Sequence, residues 1–250
     1  MAGHSKWANI KHRKGAADIA KGKVFSRLAK EIMVAAKMGG GDETANPRLR
    51  AALAAGKSAN MPKANIERAI KKGLGELGDV IYEEIVYEGY GPGGVAVMVE
   101  CLTDNRNRSA SDVRSTFDKN NGNLASSGAV TWMFNRKAHV VVTGEKADED
   151  LLMDITLDAG AEDIEVEGDF AEIFGPPDAF EAIVEALEAA GIETEEAGII
   201  QHPDNTVEVE DLKTAQQLMK MLDRLEDLDD VQAVHSNQDI PDEILEQLDI

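Results

Sequence analysis

The stretch AHVVVTGEKADEDLLMDITLDAGAEDIEVEGDFAEIFGPPDAFEAIVEALEAAGIETEEAGI, Ala138 to Ile199, decides the fold. Its period changes four times. Ala138 to Val142 reads as a strand, Asp148 to Asp158 as a helix, and Asp163 to Val166 and Phe170 to Phe174 as two further strands. Pro177 to Ala190 predicts a second helix and Ile192 to Ile199 a last strand. The order is βαββαβ in about 62 residues, the signature of a ferredoxin-like split βαβ unit.

Outward from this unit the pattern is less regular. On the C-terminal side a strand at Thr206 to Val209, a helix at Leu212 to Leu225 and a strand at Val231 to His235 make a βαβ without a sequence neighbour to pair with. On the N-terminal side the period becomes two at Val80, and Ile81 to Tyr87 reads as a strand before the Gly-rich turn Gly89 to Gly94. Val95 to Leu102 is a buried strand. Asp104 or Asn105 caps a helix from Arg106 to Asn120 with Val113 and Phe117 inward, and Ala129 to Phe134 is the next strand. Pairing these two separated βαβ pieces gives a second ferredoxin-like unit with the first inserted in it.

The first third of the chain is helical. Lys23 to Met38 predicts an amphipathic helix stopped by Gly39-Gly40-Gly41. Asn46-Pro47 supplies an N-cap and an N1 proline for a second helix to about Asn60, and Pro62 starts a third that ends at Lys71-Lys72. The expected class is therefore α+β: an N-terminal three-helix bundle followed by two ferredoxin-like βαββαβ domains, one inserted in the other. The boundaries are residues 1–78 for a basic arm and the bundle, 79–135 with 203–250 for the discontinuous domain, and 136–202 for the insert.

Charge points to function. Residues 1–75 carry 16 Lys and Arg against 5 Asp and Glu, whereas 76–250 carry 10 against 42, so the net charge of −21 conceals a basic head on an acidic body. Such a body repels nucleic acid, and any such binding belongs to the head. At 100° per residue, Lys23, Arg27, Lys30 and Lys37 fall within about 80° on the first helix, opposite the apolar side. The arm adds Lys6, Lys11, Arg13 and Lys14, with His4 and His12 as phosphate contacts or bystanders. Gly3, Gly15 and Gly22 and a scarcity of apolar residues predict weak order for 1–22. Trp7 is open to two readings, a platform for base stacking or a pin that fixes the arm to the bundle. One body segment, TDNRNRS at 103–109, places Arg106 and Arg108 at a helix N-terminus, where free N–H groups favour an anion. The alternative is capping and salt bridges to nearby carboxylates.

Several chemistries are excluded. AALAAGKS at 51–58 matches a relaxed phosphate-loop pattern but lies in an Ala-rich helix whose N–H groups are already used. GLGELG at 73–78 follows a helix and precedes a strand, the reverse of the order in a dinucleotide fold. The lone Cys101 rules out an intrachain disulfide and reads as a buried, inert thiol. No Ser or Cys nucleophile has an obvious base, and the histidines are scattered, so no catalytic residue, metal site or cofactor is expected. Residues 144–200 hold 19 carboxylates and only Lys146 as a base, which suits a solvated face, a surface for a cationic protein, or a fence that keeps nucleic acid on the head. No apolar run approaches the ~18 residues of a membrane span, and a cytoplasmic monomer is the default.

The opening GHSKWANIKHRK, the TDNRNR loop and the segment AVTWMF at 129–134 resemble the YebC family across nearly the whole chain, although Thr131 stands where a smaller residue is expected. The resemblance implies three domains, one helical and two ferredoxin-like, and no catalytic residue. It also implies a nucleic-acid-binding protein, either a DNA-binding transcriptional regulator or a translation factor on ribosomal RNA. No helix-turn-helix with readable base contacts is apparent, so phosphate contacts would position the protein without specifying a sequence. A third possibility is a protein-interaction module using the acidic body, in which removal of residues 1–22 leaves function intact.

Overall fold

Small apolar side chains let the first three helices pack closely. The computed structural model describes residues 19–78 and 81–248. The elements begin with α1 (Ile19–Gly39), α2 (Pro47–Ser58) and α3 (Lys63–Gly73). Ile32, Ala35 and Ala36 of α1 meet Leu49, Ala52 and Leu53 of α2 and Ala69 of α3 in a separate bundle core. Where α3 crosses α1, a Cβ added at Gly73 would lie 2.3 Å from the Met33 carbonyl oxygen, so only glycine fits there. Asn46 caps α2 by accepting from the Leu49 N–H, and its Nδ2 donates to the carbonyls of Ala35 and Gly40 at the end of α1. One buried amide thus stops one helix and starts the next.

Two antiparallel sheets follow, which makes the class α+β. In chain order the elements are β1 (Glu83–Tyr90), β2 (Ala96–Thr103), α4 (Arg106–Lys119), β3 (Asn123–Leu124), β4 (Phe134–Thr143), α5 (Glu149–Thr156), β5 (Asp163–Glu167), β6 (Phe170–Gly175), α6 (Phe180–Ala189) and β7 (Glu196–Pro203). The chain continues with β8 (Val207–Glu208), α7 (Leu212–Glu226), β9 (Val231–Ser236) and β10 (Gln238–Asp239). It divides into two compact units, Trp132–Thr206 and the rest.

Within Trp132–Thr206 the strand order is β5-β6-β4-β7, every neighbour antiparallel, which is the ferredoxin-like arrangement that the opening stretch predicts. Ala138, Val140 and Val142 of β4 and Ala171 and Ile173 of β6 face Leu152 of α5 and Ile183 and Leu187 of α6. The alternation sets His139, Val141, Glu172 and Phe174 on the other side of the sheet.

The other sheet has the expected make-up of four antiparallel strands and two helices, and β2 and β9 are the expected strands, but β1 and β3 stand in place of those expected at Ala129 to Phe134 and Thr206 to Val209. Its order is β3-β1-β2-β9. Val97, Val99 and Cys101 of β2 alternate towards Val113 and Phe117 of α4 and Leu218, Met221 and Leu222 of α7. The strand expected at Ala129 to Phe134 is absent: 125–130 is loop, Thr131–Met133 is one 3-10 turn, and a strand begins only at Phe134. The cause is Glu88, whose carboxylate takes the backbone N–H groups of Gly128, Val130 and Thr131 that a ladder would need. The strand expected at Thr206 to Val209 shrinks to the two residues of β8 and pairs in parallel with β10, outside the main sheet. Its place beside β2 is not vacant, because β1 pairs along one side of β2 and β9 along the other.

Candidate nucleic-acid interface

Helix α1 carries the predicted cationic stripe, and the structure shows what the stripe touches. Lys23 Nζ lies 2.6 Å from Asp227 Oδ1. Arg27 donates to the Glu226 carbonyl. Lys30 Nζ donates to the Asp229 carbonyl at 2.7 Å and to Asp230 Oδ1 at 2.9 Å, and it stands 5.9 Å from the Tyr82 ring centroid. Three of the four stripe cations are therefore held by one segment, Glu226 to Asp230, at the C-terminal end of α7. Carbonyl oxygens at a helix C-terminus carry partial negative charge, so carboxylates and backbone act together. Lys37, the fourth, is exposed.

Asp230 is the centre of this joint. Its buried carboxylate accepts from Lys30, from Arg108 Nε at 3.1 Å and Nη2 at 2.7 Å, from Ser109 Oγ at 2.8 Å and from Thr103 Oγ1 at 3.0 Å. Burial pushes the carboxyl up, but the hydrogen bonds from Arg108, Lys30 and Ser109 outweigh it and bring the pKa down to about 2. The TDNRNRS segment thus receives an anion from within the chain. Asn105 caps α4 by accepting from the Arg108 N–H, and Arg108 also meets Asp104 at 2.8 Å. For Arg108 the capping and salt-bridge reading describes the observed contacts. Arg106, two positions earlier, points its side chain to solvent.

The remaining cations of the bundle differ in their surroundings. Arg48 chelates Glu31 through Nε and Nη2 and also reaches Glu84. Lys57, Arg68 and Lys71 stay exposed on α2 and α3. Beside the joint lies a cleft of about 320 Å³ lined by Met33, Lys37 and Met38 of α1, Lys72 of α3, and Tyr82 and Glu84. Lys6, Trp7, Lys11, His12, Arg13 and Lys14 lie outside the described residues.

Two arrangements had no sequence signal. One is Glu88, which is 3% exposed and accepts three main-chain N–H groups at 2.6 to 2.8 Å. Burial raises its carboxyl pKa, and the N–H bonds outweigh that to leave it lowered. The loop it holds leads directly to Trp132, which is 67% exposed. The other is His139 Nε2, 2.7 Å from Glu172 Oε1, both buried, with the imidazole stacked 5.1 Å from Phe174. Periodicity reveals alternation but cannot tell which carboxylate a distant loop will seek.

The rejected motifs are explained by their setting. Ala51 to Ser58 is helix interior, and Gly75 and Gly78 adopt φ of 81° and 97° in the chain that follows α3. Cys101 is buried, and burial pushes its thiol up to about 12. Among the described residues no three His, Cys, Asp or Glu side chains gather where they could hold a metal ion. No helix among them is long and apolar enough to cross a membrane.

Comparison with known proteins spans nearly the whole chain. Residues 5–76 match the model described as TACO1/YebC protein N-terminal domain, and residues 82–238 match TACO1/YebC second and third domain. A protein of Desulfatibacillum aliphaticivorans is 56% identical over 245 residues, covering 98% of this chain and 99% of the relative. One of Syntrophobacter fumaroxidans is 57% identical over 248 residues, covering 99% and 100%. Both are named "probable transcriptional regulatory protein". The crystal structure of a conserved hypothetical protein from Aquifex aeolicus superposes with a TM-score of 0.82 at 47% identity, covering 91% of this chain and 94% of that one.

Proposed function

The chain belongs to the TACO1/YebC family, and from that premise we propose that it is a non-enzymatic, nucleic-acid-binding regulator that works in the cytoplasm. DNA is the partner that the names of its relatives favour. The basic N-terminal domain makes the contacts, and they are contacts to phosphate. The observation that carries this reading is the one-sided charge of a bundle that has its own core: residues 1–75 hold a net of +11 on a chain of net −21. Lys57, Arg68 and Lys71 face solvent, as do Lys37 and Arg106, and the arm contributes Lys6, Lys11, His12, Arg13 and Lys14, with Trp7 as a stacking surface. Contacts of this kind set register on the duplex without reading sequence.

The test is a salt titration of binding to a DNA duplex. Six engaged cations give log affinity a slope of about −5 against log salt. Lys57→Ala/Arg68→Ala/Lys71→Ala should make that slope shallower by roughly 2 to 3. A slope unchanged in the triple variant removes the bundle's outer face from the account. Crosslinking in cells then identifies the nucleic acid. Enrichment of promoter DNA supports the regulator. Ribosomal RNA would instead place the protein at the ribosome, where the 19 carboxylates at 144–200 suit basic ribosomal proteins.

A further inference from the structure

The segment Glu226 to Asp230 offers Lys23, Arg27 and Lys30 acceptors of the kind a phosphodiester backbone would offer: the carboxylates of Asp227 and Asp230 and the main-chain carbonyl oxygens of Glu226 and Asp229. We infer that it is a built-in competitor for nucleic-acid phosphates, which holds the α1 stripe in the free protein and gives it up when a polyanion takes its place. This inference rests on the phosphate-binding reading and adds its regulation. While the joint is closed, the protein binds through the arm and the outer cations alone. Once it opens, the stripe joins them.

Three features make the joint displaceable. The bundle and the sheet keep separate apolar cores, one around Ile32, Leu49 and Leu53 and the other around Val99, Phe117 and Leu218. The contacts described between them are polar: the ion pairs Lys23–Asp227, Lys30–Asp230 and Arg48–Glu84, and the hydrogen bonds from Arg27 and Lys30 to the carbonyls of Glu226 and Asp229. Exposed ion pairs contribute little net stability and are screened by salt, and of these only Lys30–Asp230 has both partners largely buried. Finally, the chain joining α3 to β1 leaves residues 74–78 exposed and turns through glycines of positive φ at 75 and 78. A polyanion brings many phosphates to one stripe, whereas the segment brings the few groups it has.

A reversible tether tests this in the full chain. In a Cys101→Ser background, Lys23→Cys and Asp227→Cys are joined by a bis-methanethiosulfonate reagent that dithiothreitol removes. The same protein is then titrated with a DNA duplex, tethered and released, across a salt series. Tethered protein should bind about tenfold more weakly, with a shallower salt slope, and release should restore both. Asp227→Asn, which removes the carboxylate that holds Lys23, should bind severalfold more tightly than the untethered natural chain and more tightly than Glu208→Gln, which removes equal charge outside Glu226 to Asp230. Equal binding in the tethered and released states overturns the inference and leaves nucleic-acid binding intact. Equal gains in the two charge-neutralised variants also overturn it. Absence of binding in every form overturns both this inference and the reading beneath it.

Discussion

Arg108 and Asp230, 122 residues apart in the chain, meet with Nη2 2.7 Å from Oδ2. Lys30, 200 residues before Asp230 on the same N-terminal side, completes the charge. Because the folded carboxyl sits at about 2, below the ~3.9 of an unfolded aspartate, its contribution is fully present above pH 4 and is lost as pH falls through 2. The shift corresponds to roughly 2 to 3 kcal/mol. Urea midpoints measured from pH 5 to pH 2 should fall more steeply in the natural chain than in Asp230→Asn, which should already be destabilised at pH 7. Parallel curves would separate the hub from acid sensitivity.

Glu88→Gln turns an acceptor-only group into one that presents an NH₂ to main-chain donors. Gly128 donates to one carboxylate oxygen and Val130 and Thr131 to the other, so neither orientation of the amide satisfies all three. A loss of about 1 to 3 kcal/mol is expected. Hydrogen exchange should accelerate at those amides well before the β1–β2 ladder changes.

Gly73→Ala drives a methyl group against the Met33 carbonyl and the Ala36 side chain. The α1–α3 crossing has to open, at a cost of about 1 to 3 kcal/mol. The bundle has its own core, so its thermal transition should move down further than that of the Trp132–Thr206 unit. Separate fluorescence or exchange probes in the two parts distinguish these outcomes.

Glu172→Ala leaves both His139 nitrogens buried without a partner, since Nδ1 already has none. A loss of about 1 to 3 kcal/mol is expected, and Glu172→Gln, which keeps an acceptor, should recover most of it. Equal destabilisation by the two variants would mean that charge matters more than the hydrogen bond.

Local pattern made the insert and the bundle legible. The βαββαβ series from Ala138 to Ile199 appears in order, with the last strand displaced to Glu196–Pro203. Asn46-Pro47 starts a helix where its chemistry requires. The strand expected at Ala129 to Phe134 failed for a reason no window could contain, because Glu88 competes for its amides from about 40 residues away. The candidate site divides in the same way. The stripe on α1 was readable from a 100° period, but its partner was hidden in an acidic body where Glu226 to Asp230 looked like any other run of carboxylates. Opposite charges attract at long sequence separation without leaving a periodic mark.

The Trp132–Thr206 unit leaves and re-enters the chain through neighbouring strands. Phe134 lies opposite Pro203, Asp204 N–H donates to the Met133 carbonyl, and Asn135 Nδ2 is 2.5 Å from Asp204 Oδ1. Its two ends are therefore fixed at inter-strand spacing, about 5 Å. To the rest of the chain the inserted unit counts as a short hairpin loop, with the closure entropy of a few residues rather than of its full length. Growth or loss of sequence inside the unit should leave the host sheet's stability almost unchanged, and this neck is where a foreign domain could be spliced in.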